Sequence, residues 1–438
     1  MRIIIPIITA LSLMTTAPAL GQAAPAERGM SAFTAADTVY GEALLERLVR
    51  QNSGTLNIEG VTAVGAMMRA ELEALGFAVD WVDMRETGRA GHIVATHSGN
   101  GRGQRVLMIG HLDTVFEPTS PFQGYVRDGN TVTGPGVGDD KGGLVVIIGA
   151  LRTMRAAGTL RDADIMVVLT GDEERTGSPV EIARRDLIAA GDWADVALEY
   201  ENLATIGDGP DRIEYGTVAR RSSGAWEIRT TGNTGHSSGI FSEGQGYGAI
   251  YELVRILDRF RRELPEANLT YNVGVMAGGT PATLDETGET VSATGKDNII
   301  ASTAVARGDI RTLTVEQDAR VRVAMEAIVA DHLPGTGASF TFSSRYPPMS
   351  PTEGNRALLR RLNAVNRDLG LPEMPEFDPA RHGAADSSFV AALADTLGGL
   401  GAIGSGAHAD GESVELDSLP RQALRSAALI SRLSREQR

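Results

Sequence analysis

The sequence predicts an α/β protein in which a mixed, largely parallel, doubly wound sheet carries an inserted α+β domain. Short apolar runs alternate with helical stretches up to about residue 215, a pattern typical of parallel strands joined by crossover helices. From 216 to 346 the order becomes strand, helix, two strands, helix and strand, which indicates a separate α+β unit. The first pattern returns over 347–438. We therefore expect one domain built from 27–215 and 347–438, with the insert between its two parts.

The first part of that domain begins with two amphipathic helices, indicated by the spacing of Leu44, Leu45 and Leu48 and of Val61, Val64, Met68 and Leu72. The Gly-Asn-Gly run at 99–101 predicts a hairpin turn. The expected strands are 78–82, 92–96, 106–109, 165–170 and 196–200, and the expected helices are 142–157 and 180–190.

The insert is expected to contain strands at 226–231, 269–275, 298–311 and 339–343 and helices at 247–262 and 315–332. The second part of the first domain is expected to contain helices at 356–369 and 387–397, a short strand at 402–403 and a terminal helix from Leu419.

Composition limits the kinds of partner and site. The 438 residues carry 41 basic against 56 acidic side chains, a net charge of -15, which disfavours binding to nucleic acid or to anionic membrane surfaces. There is no cysteine, so a disulfide, a thiolate nucleophile and a cysteine-ligated zinc are all excluded. Any bound metal must be held by His, Asp and Glu.

Residues 1–26 have the pattern of a secretory signal peptide. Arg2 provides a positive start, residues 3–20 are mostly apolar, and small residues around Ala24 offer a cleavage site. An anchor helix is the alternative, which Pro6 and Pro18 disfavour. We therefore expect a periplasmic or secreted protein without stable membrane association.

Titratable side chains follow the predicted strands. The strand 106–109 leads into His111 and Asp113, and a glycine-rich loop leads through Asp139 and Asp140 into a helix. Two adjacent aspartates would repel a phosphate, so this loop favours a cation, although either aspartate could also cap the helix. His111 and Asp113 alternate onto one face, where a carboxylate can orient a metal-binding imidazole.

Three further acidic groups follow the next two strands. Glu173 and Glu174 come after 165–170, and Glu201 comes after 196–200 with Glu199 as its rival. His408 follows the short strand at 402–403. Because carboxyl ends of parallel strands share one edge of a sheet, we expect these groups to lie together. Two imidazoles with several carboxylates suit zinc or a similar divalent ion.

The segments HLDT, GPGVGDDKGG, TGDEERTGS, EYEN, TGNTGHSSG and GSGAHADGE together resemble a family of dizinc carboxypeptidases and deacylases. That family includes glutamate carboxypeptidase, aminoacylase, acetylornithine deacetylase and succinyl-diaminopimelate desuccinylase, and the glutamate carboxypeptidase branch is the most similar. The resemblance implies a catalytic domain in the two outer parts and a lid and dimerisation domain at 216–346, hence a homodimer.

The resemblance also implies roles for individual residues. Asp139 would bridge two Zn²⁺ or other divalent ions, Glu173 would be the general base, and Asp113 would lie behind His111. Asp140 would not be a ligand. The remaining metal ligands would be His111 and Glu201 on one ion and Glu174 and His408 on the other. His236 would reach the partner subunit's site and stabilise the oxyanion, and Asn298 and Arg311 would bind a substrate carboxylate.

The implied reaction is hydrolysis of an amide bond next to a free carboxylate, releasing a C-terminal glutamate or another amino acid from a peptidyl or N-acyl substrate. One segment departs from the family branch: 381–386 replaces a Gly-Gly-Thr-Asp run. His382 in that segment could contact substrate, but we expect a solvated loop residue. His92, His97 and His332 are expected at strand or helix surfaces without a role.

Two other functions remain open from the sequence. Residues 235–239 satisfy Gly-x-Ser-x-Gly, which would make Ser237 the nucleophile of a serine hydrolase, with Asp386 and His408 as partners. That motif needs an apolar strand directly before the serine and a helix directly after it, and the sequence here is polar. The other alternative is a non-catalytic periplasmic solute-binding protein.

Overall fold

The computed structural model describes residues 25–285, 288 and 290–438. The predicted signal segment lies outside these residues, apart from Pro25 and Ala26 at the start of the first helix, and stays a prediction. The α-helices are α1 Pro25–Ala36, α2 Thr38–Arg50, α3 Ile58–Ala74, α4 Lys141–Ala156, α5 Val180–Ala183, α6 Arg185–Trp193, α7 Gly248–Glu263, α8 Val315–Ala330, α9 Glu353–Leu369 and α10 Ser418–Leu433. Across this part of the chain, no helix combines the length and the hydropathy needed to cross a membrane.

The strands are short, and most coincide with the apolar runs of the sequence. They are β1 Ala78–Asp83, β2 Gly91–His97, β3 Val106–His111, β4 Val126–Asp128, β5 Thr131–Thr133, β6 Ile165–Thr170, β7 Val196–Glu199, β8 Ala204–Ile206, β9 Ile213–Tyr215, β10 Ser223–Gly232, β11 Thr270–Tyr271, β12 Val275–Gly279, β13 Ala282–Leu284, β14 Val291–Ala293, β15 Thr303–Arg311, β16 Thr336–Tyr346, β17 Asp395–Leu397, β18 Gly404–Ser405 and β19 Ser413–Glu415.

The main sheet has the strand order β1-β2-β6-β3-β7-β17. Strands β6, β3, β7 and β17 are parallel, whereas β2 runs antiparallel to β6 and β1 antiparallel to β2. Along β3, Val106 and Met108 join the larger hydrophobic core while Leu107 and Ile109 join a second core on the opposite face. Both faces are therefore covered, which is why this strand is continuously apolar. The predicted α/β class is confirmed.

Several predicted elements are wrong in detail. The hairpin at 99–101 is absent, because β2 and β3 both pair with β6 rather than with each other. The predicted helix 180–190 is divided at Arg184, whose side chain turns into the interior. The predicted helix 387–397 is a short 3₁₀ turn, Asp386–Phe389, followed by β17, because Asp386 is held by buried hydrogen bonds.

The short strand predicted at 402–403 is Gly404–Ser405 and lies outside the main sheet. It belongs to a second sheet of order β18-β19-β5-β4. His408 therefore approaches the site from the loop between β18 and β19, not from a strand end of the main sheet. Its backbone φ of 64° lies in the left-handed region, as in a tight loop.

Strands β11, β12, β10, β15 and β16 form a separate sheet, with β10 paired to β15 on one side and β16 on the other. Helices α7 and α8 cover one face, around Trp226, Phe260 and Met325. The predicted helices of the insert are confirmed, and the predicted strand 269–275 is divided into β11 and β12. The two linkers to the main domain meet where the backbones of Arg220 and Met349 exchange hydrogen bonds of 3.0 Å. The predicted domain limits stay predictions.

Candidate metal centre

His111 ends β3, so the central strand of the sheet places its imidazole at the carboxyl edge, fully buried. The ring Nδ1 lies 3.1 Å from the carbonyl oxygen of Asp113, an atom that can only accept, so Nδ1 donates. In the neutral ring this leaves the Nε2 lone pair 3.0 Å from Oδ1 of Asp139. A lone pair facing a carboxylate oxygen is the arrangement of two ligands that share a cation.

Asp139 lies in the glycine-rich loop before α4, and the peptide bond between Asp139 and Asp140 is cis. Its other oxygen, Oδ2, lies 3.1 Å from Nε2 of His408. The loop is held by Glu412, whose carboxylate accepts hydrogen bonds from the backbone N–H groups of Gly138 and Asp139 at 2.8 and 2.9 Å. One carboxylate thus lies between two imidazoles.

The start of α4 packs so closely on the end of β7 that only glycine fits there. A Cβ on Gly143 would lie 2.1 Å from the carbonyl oxygen of Tyr200 and 2.1 Å from Oδ1 of Asp140. The glycine-rich run therefore allows close approach of helix and strand. Oδ2 of Asp140 accepts the backbone N–H of His111 at 3.2 Å.

Glu173 and Glu174 follow β6, and one buried carboxylate sets their backbone positions. Asp113 accepts the N–H of Glu173 at 3.0 Å, that of Glu174 at 3.2 Å and the hydroxyl of Thr55 at 2.6 Å. Oε2 of Glu174 lies 3.0 Å from Nε2 of His408. Asp113 therefore contacts both the imidazole of His111 and the segment that carries two predicted functional glutamates.

Two groups of side chains bring their ligand atoms within 4.8 Å of one another: His111 with Asp139 and Glu174, and His111 with Glu173 and Glu201. Glu199 belongs to neither group, and its Oε2 accepts the N–H of Gly399 at 3.2 Å. The geometry thus places Glu201 rather than its rival Glu199 in the cluster. All five predicted metal ligands converge at the edge of the main sheet.

The electrostatics of the cluster fit a cation. Burial, and then the neighbouring charge of Glu201, raise the pKa of Glu173 well above its usual range. Burial and the charge of Glu199 do the same to the pKa of Glu201. For Asp139, burial opposes ionisation, but hydrogen bonds with His111 and His408 outweigh it and lower the pKa.

Oε1 of Glu174 is buried without a hydrogen-bond partner within the part of the chain that the structure describes. An orphaned carboxylate oxygen among crowded acids is costly unless a cation binds it. With two imidazoles and three further carboxylates, the donor set suits zinc or a similar divalent ion.

A buried ion-pair network lies behind Glu173. Arg184 donates to Asp172 at 2.5 Å and to Asp386 at 2.7 Å, and its Nη2 lies 3.1 Å from the hydroxyl of Tyr346. That hydroxyl donates to the carbonyl oxygen of Glu173 at 2.8 Å. Because Tyr346 ends β16, the insert contacts the backbone of the predicted base directly.

We expect Arg184→Met to lower the free energy of unfolding by about 3–5 kcal/mol, because it leaves Asp172 and Asp386 buried without their partner. Urea denaturation measures this. Arg185→Met on α6, where the side chain is 56% exposed in a surface pair with Asp186, serves as the control. A loss below about 1 kcal/mol, the range of surface pairs, would show that the network does not hold the site.

The three predicted functional residues of the insert contact residues other than the metal ligands. His236 is exposed, its Nδ1 accepts the N–H of Ser238 at 3.2 Å, and Asn298 is its neighbour through a 2.9 Å backbone bond to Ser237. Arg311 lies at the other end of β15, 3.6 Å from Asp309. The structure thus pairs His236 with Asn298, and the roles of all three predicted residues stay predictions.

Four other histidines were expected at the surface or in solvent. That expectation is wrong for His92, which is buried with Nε2 2.9 Å from the carbonyl oxygen of Ala183. It is also wrong for His382, where burial and the Arg220 guanidinium lower the pKa to about 2. His97 is half-buried and His332 is 35% exposed.

Sequence reasoning missed Glu412, Arg184, Arg220 and Tyr346. Only Glu412 had a signal, since it stands within the segment GSGAHADGE. The others meet the site through contacts between segments that are far apart in the chain.

The serine hydrolase alternative is wrong. Ser237 begins a single 3₁₀ turn, Ser237–Gly239, rather than following a strand into a helix. Asp386 is paired with Arg184, and His408 contacts Asp139 and Glu174. The three residues therefore form no catalytic relay.

Comparisons with known proteins give one family match and several similar sequences. The family model described as peptidase family M20/M25/M40 matches residues 107–432. Carboxypeptidase G2 of Pseudomonas sp. (strain RS-16) is 28% identical over 401 residues, covering 88% of this chain and 87% of that protein. A succinyl-diaminopimelate desuccinylase of Gluconobacter oxydans (strain 621H) is 23% identical over 331 residues, covering 73% of this chain and 79% of that protein.

Solved structures show the same fold. A tripeptidase from Staphylococcus aureus aligns with a TM-score of 0.67 at 18% identity, covering 91% of this chain and 99% of that one. The Bacillus subtilis protein YXEP, described as a dinuclear metal binding peptidase, aligns with a TM-score of 0.60 at 15% identity, covering 91% and 98%.

Proposed function

Since the chain belongs to peptidase family M20/M25/M40, we propose that it is a dinuclear metal-dependent hydrolase that cleaves an amide bond next to a free carboxylate. The observation that carries the proposal is the convergence of two imidazoles on the two oxygens of Asp139. Family membership favours a hydrolase over the solute-binding alternative. The similarity to carboxypeptidase G2 supports, at 28% identity, release of a C-terminal glutamate or another amino acid.

Each residue of the cluster has a separate proposed role. His111 and Glu201 would hold one divalent ion, and Glu174 and His408 the other, with Asp139 shared. When bound, such ions polarise a carbonyl group and acidify water. The carboxylate of Glu173 would take a proton from water and return it to the leaving amine, and burial, which raises its pKa, makes that carboxylate a stronger base. Asp113 fixes the backbone from which Glu173 acts.

The proposed substrate carries a carboxylate beside the scissile bond, bound by Arg311. Asn298 lies beyond the opposite end of β15, so its role toward this carboxylate stays a prediction. We expect kcat/KM for an N-acyl glutamate to exceed that for its α-amide by about tenfold or more, the scale of a hydrogen bond to a charged group. Arg311→Met should reduce this ratio by raising KM for the acid, as steady-state kinetics would show.

Arg229→Met on β10 is the matched control, because that exposed arginine is paired with Glu227 and should leave the ratio unchanged. Equal kcat/KM for acid and amide in the wild-type protein would contradict the proposed substrate class. An unchanged ratio in Arg311→Met would reject Arg311 alone.

The proposed homodimer is supported by an exposed apolar surface on the insert. Ile250, Tyr251 and Val254 on α7 and Met276 on β12 are each 42–51% exposed. They form one patch, since Ile250 packs over Gly278 of the same strand. Large exposed apolar patches on soluble proteins commonly mark interfaces.

We expect Ile250→Glu combined with Val254→Glu to convert a dimer into a monomer, measured by light scattering after size-exclusion chromatography, because buried unpaired charges oppose association. Val323→Glu, at an apolar residue of α8 that is 64% exposed, is the control. A wild-type protein with the mass of one chain would refute the dimer.

Export, proposed from residues 1–26, would place this hydrolase in the periplasm or outside the cell. Cell fractionation with an antibody to the mature chain tests it, and retention in the cytoplasm would reject it.

A further inference from the structure

Arg220 occupies an unusual position for a charged residue. It lies in the linker that enters β10, its side chain is 1% exposed, and its backbone pairs with Met349 of the returning linker. A single buried arginine therefore lies where both connections between the insert and the main domain meet.

The guanidinium reaches four acceptors. Nη2 donates to Oε2 of Glu199 at 2.9 Å and to Oε2 of Glu201 at 3.0 Å. Nη1 lies 2.7 Å from Nδ1 of His382 and donates to the carbonyl oxygen of Gly383 at 3.2 Å. Arg220 thus forms an ion pair with a predicted metal ligand, Glu201.

The planar fork of arginine explains why this position needs that residue. It offers several donors in a fixed geometry, whereas lysine offers a compact point charge. Glu199 ends β7 and Glu201 follows it two residues later, and two carboxylates so close repel each other unless a cation separates them. Arg220 supplies that charge and fixes Oε2 of Glu201, which leaves the other oxygen as the ligand atom.

His382 braces the guanidinium from the opposite side. Arginine has no acceptor, so Nδ1 of His382 must accept from it and the imidazole is neutral. Nε2 then carries the hydrogen, 3.3 Å from Oγ1 of Thr217 on the same linker. The edge of the ring meets Phe377, with centroids 5.2 Å apart. Both ring nitrogens therefore tie the loop of His382 to the linker that carries Arg220.

We propose that Arg220 is a positioning residue that couples the linker of the insert to the metal ligand Glu201, with His382 as its brace. The proposal rests on the metal-dependent function proposed above. Through Arg220, the position of the linker that joins the insert to the main domain sets the orientation of the Glu201 carboxylate.

The test compares Arg220→Lys and Arg220→Gln with the wild-type protein, each loaded with Co²⁺. We expect both variants to lower kcat by about 10–100-fold, the range for residues that orient metal ligands. Both should also shift the visible absorption of Co²⁺ and retain less of it on dialysis. If only the positive charge of Arg220 mattered, Arg220→Lys would keep wild-type kcat. Because the coupling requires the planar guanidinium, we expect Arg220→Lys to lose activity as Arg220→Gln does.

Arg152→Lys is the matched control, because Arg152, near the end of α4, makes a bidentate pair with Asp37 between α1 and α2, with both bonds at 2.7 Å. It should leave the Co²⁺ spectrum and kcat unchanged. A lowered melting temperature in the Arg220 variants, with unchanged Co²⁺ spectrum and kcat, would show a purely structural role and overturn the proposal.

If the Arg220 variants do not fold, the His382→Ala variant tests the proposed coupling instead. It removes one acceptor and keeps every charge, so we expect a severalfold loss of kcat and a smaller shift of the Co²⁺ spectrum in the same direction. No change in either would overturn the proposal. If the wild-type protein binds Co²⁺ but hydrolyses no N-acyl amino acid, the proposed function is wrong. The Co²⁺ spectra of the variants would still test whether Arg220 positions Glu201.

Discussion

Glu173→Gln should lower kcat by about 10²–10⁴-fold, the usual contribution of general acid–base catalysis, while the protein keeps its full complement of metal. Glutamine has nearly the same shape, so it can keep the backbone bond to Asp113 at 3.0 Å and the contact with Tyr346. What it loses is the ability to take and return a proton. Steady-state kinetics together with elemental analysis of the same preparation measures both quantities.

Glu181→Gln is the control, because Glu181 is exposed on α5 a few residues further along the same segment. It should have wild-type kcat and metal content. If Glu173→Gln kept kcat within tenfold of wild type, another group would have to be the base. If it lost metal, Glu173 would be a ligand rather than the base.

Asp139→Asn should abolish activity by removing metal. The two oxygens of Asp139 lie 3.0 and 3.1 Å from Nε2 of His111 and His408, so one carboxylate serves both sides of the cluster. An amide keeps the shape but provides one neutral oxygen, a poor ligand for zinc-type ions. We expect fewer than two ions per chain and a loss of kcat/KM beyond the hundredfold typical of outer residues.

The neighbouring Asp140→Asn is the matched control. Burial and the charge of Asp139 raise the pKa of Asp140 well above its usual range, and the amide oxygen can still accept the N–H of His111. Both ions should remain bound. Equal metal content in the two variants would contradict a bridging role for Asp139.

Residues that end strands of the main sheet were predictable from sequence. His111, Glu173, Glu174 and Glu201 follow apolar runs, and parallel strands deliver such residues to one edge. The local pattern also located the pair Asp139 and Asp140, since acidic residues stand where a glycine-rich loop enters a helix, and the family resemblance selected Asp139 as the ligand.

The sequence predicts that His408 follows a strand of the main sheet, and this prediction is wrong. A loop between β18 and β19 carries His408. Local sequence cannot show which sheet a two-residue strand joins, because that depends on pairing with β19 and β5, the latter far away in the chain.

The residues that hold the site were not predictable. Glu412 binds a loop 273–276 positions earlier, and Arg184 meets Asp386 across 202 positions. A single sequence records neither contact. The family resemblance favours Glu201 over its rival Glu199, and the structure places Glu201 beside His111 and Glu173, whereas Oε2 of Glu199 accepts the N–H of Gly399.

X-ray diffraction from the zinc-loaded protein, at wavelengths on either side of the zinc edge, would locate the bound ions directly. We predict two anomalous peaks per chain, one beside His111 and Glu201 and one beside Glu174 and His408, with Asp139 contacting both. A single peak, or peaks away from these five side chains, would contradict the proposed dinuclear centre.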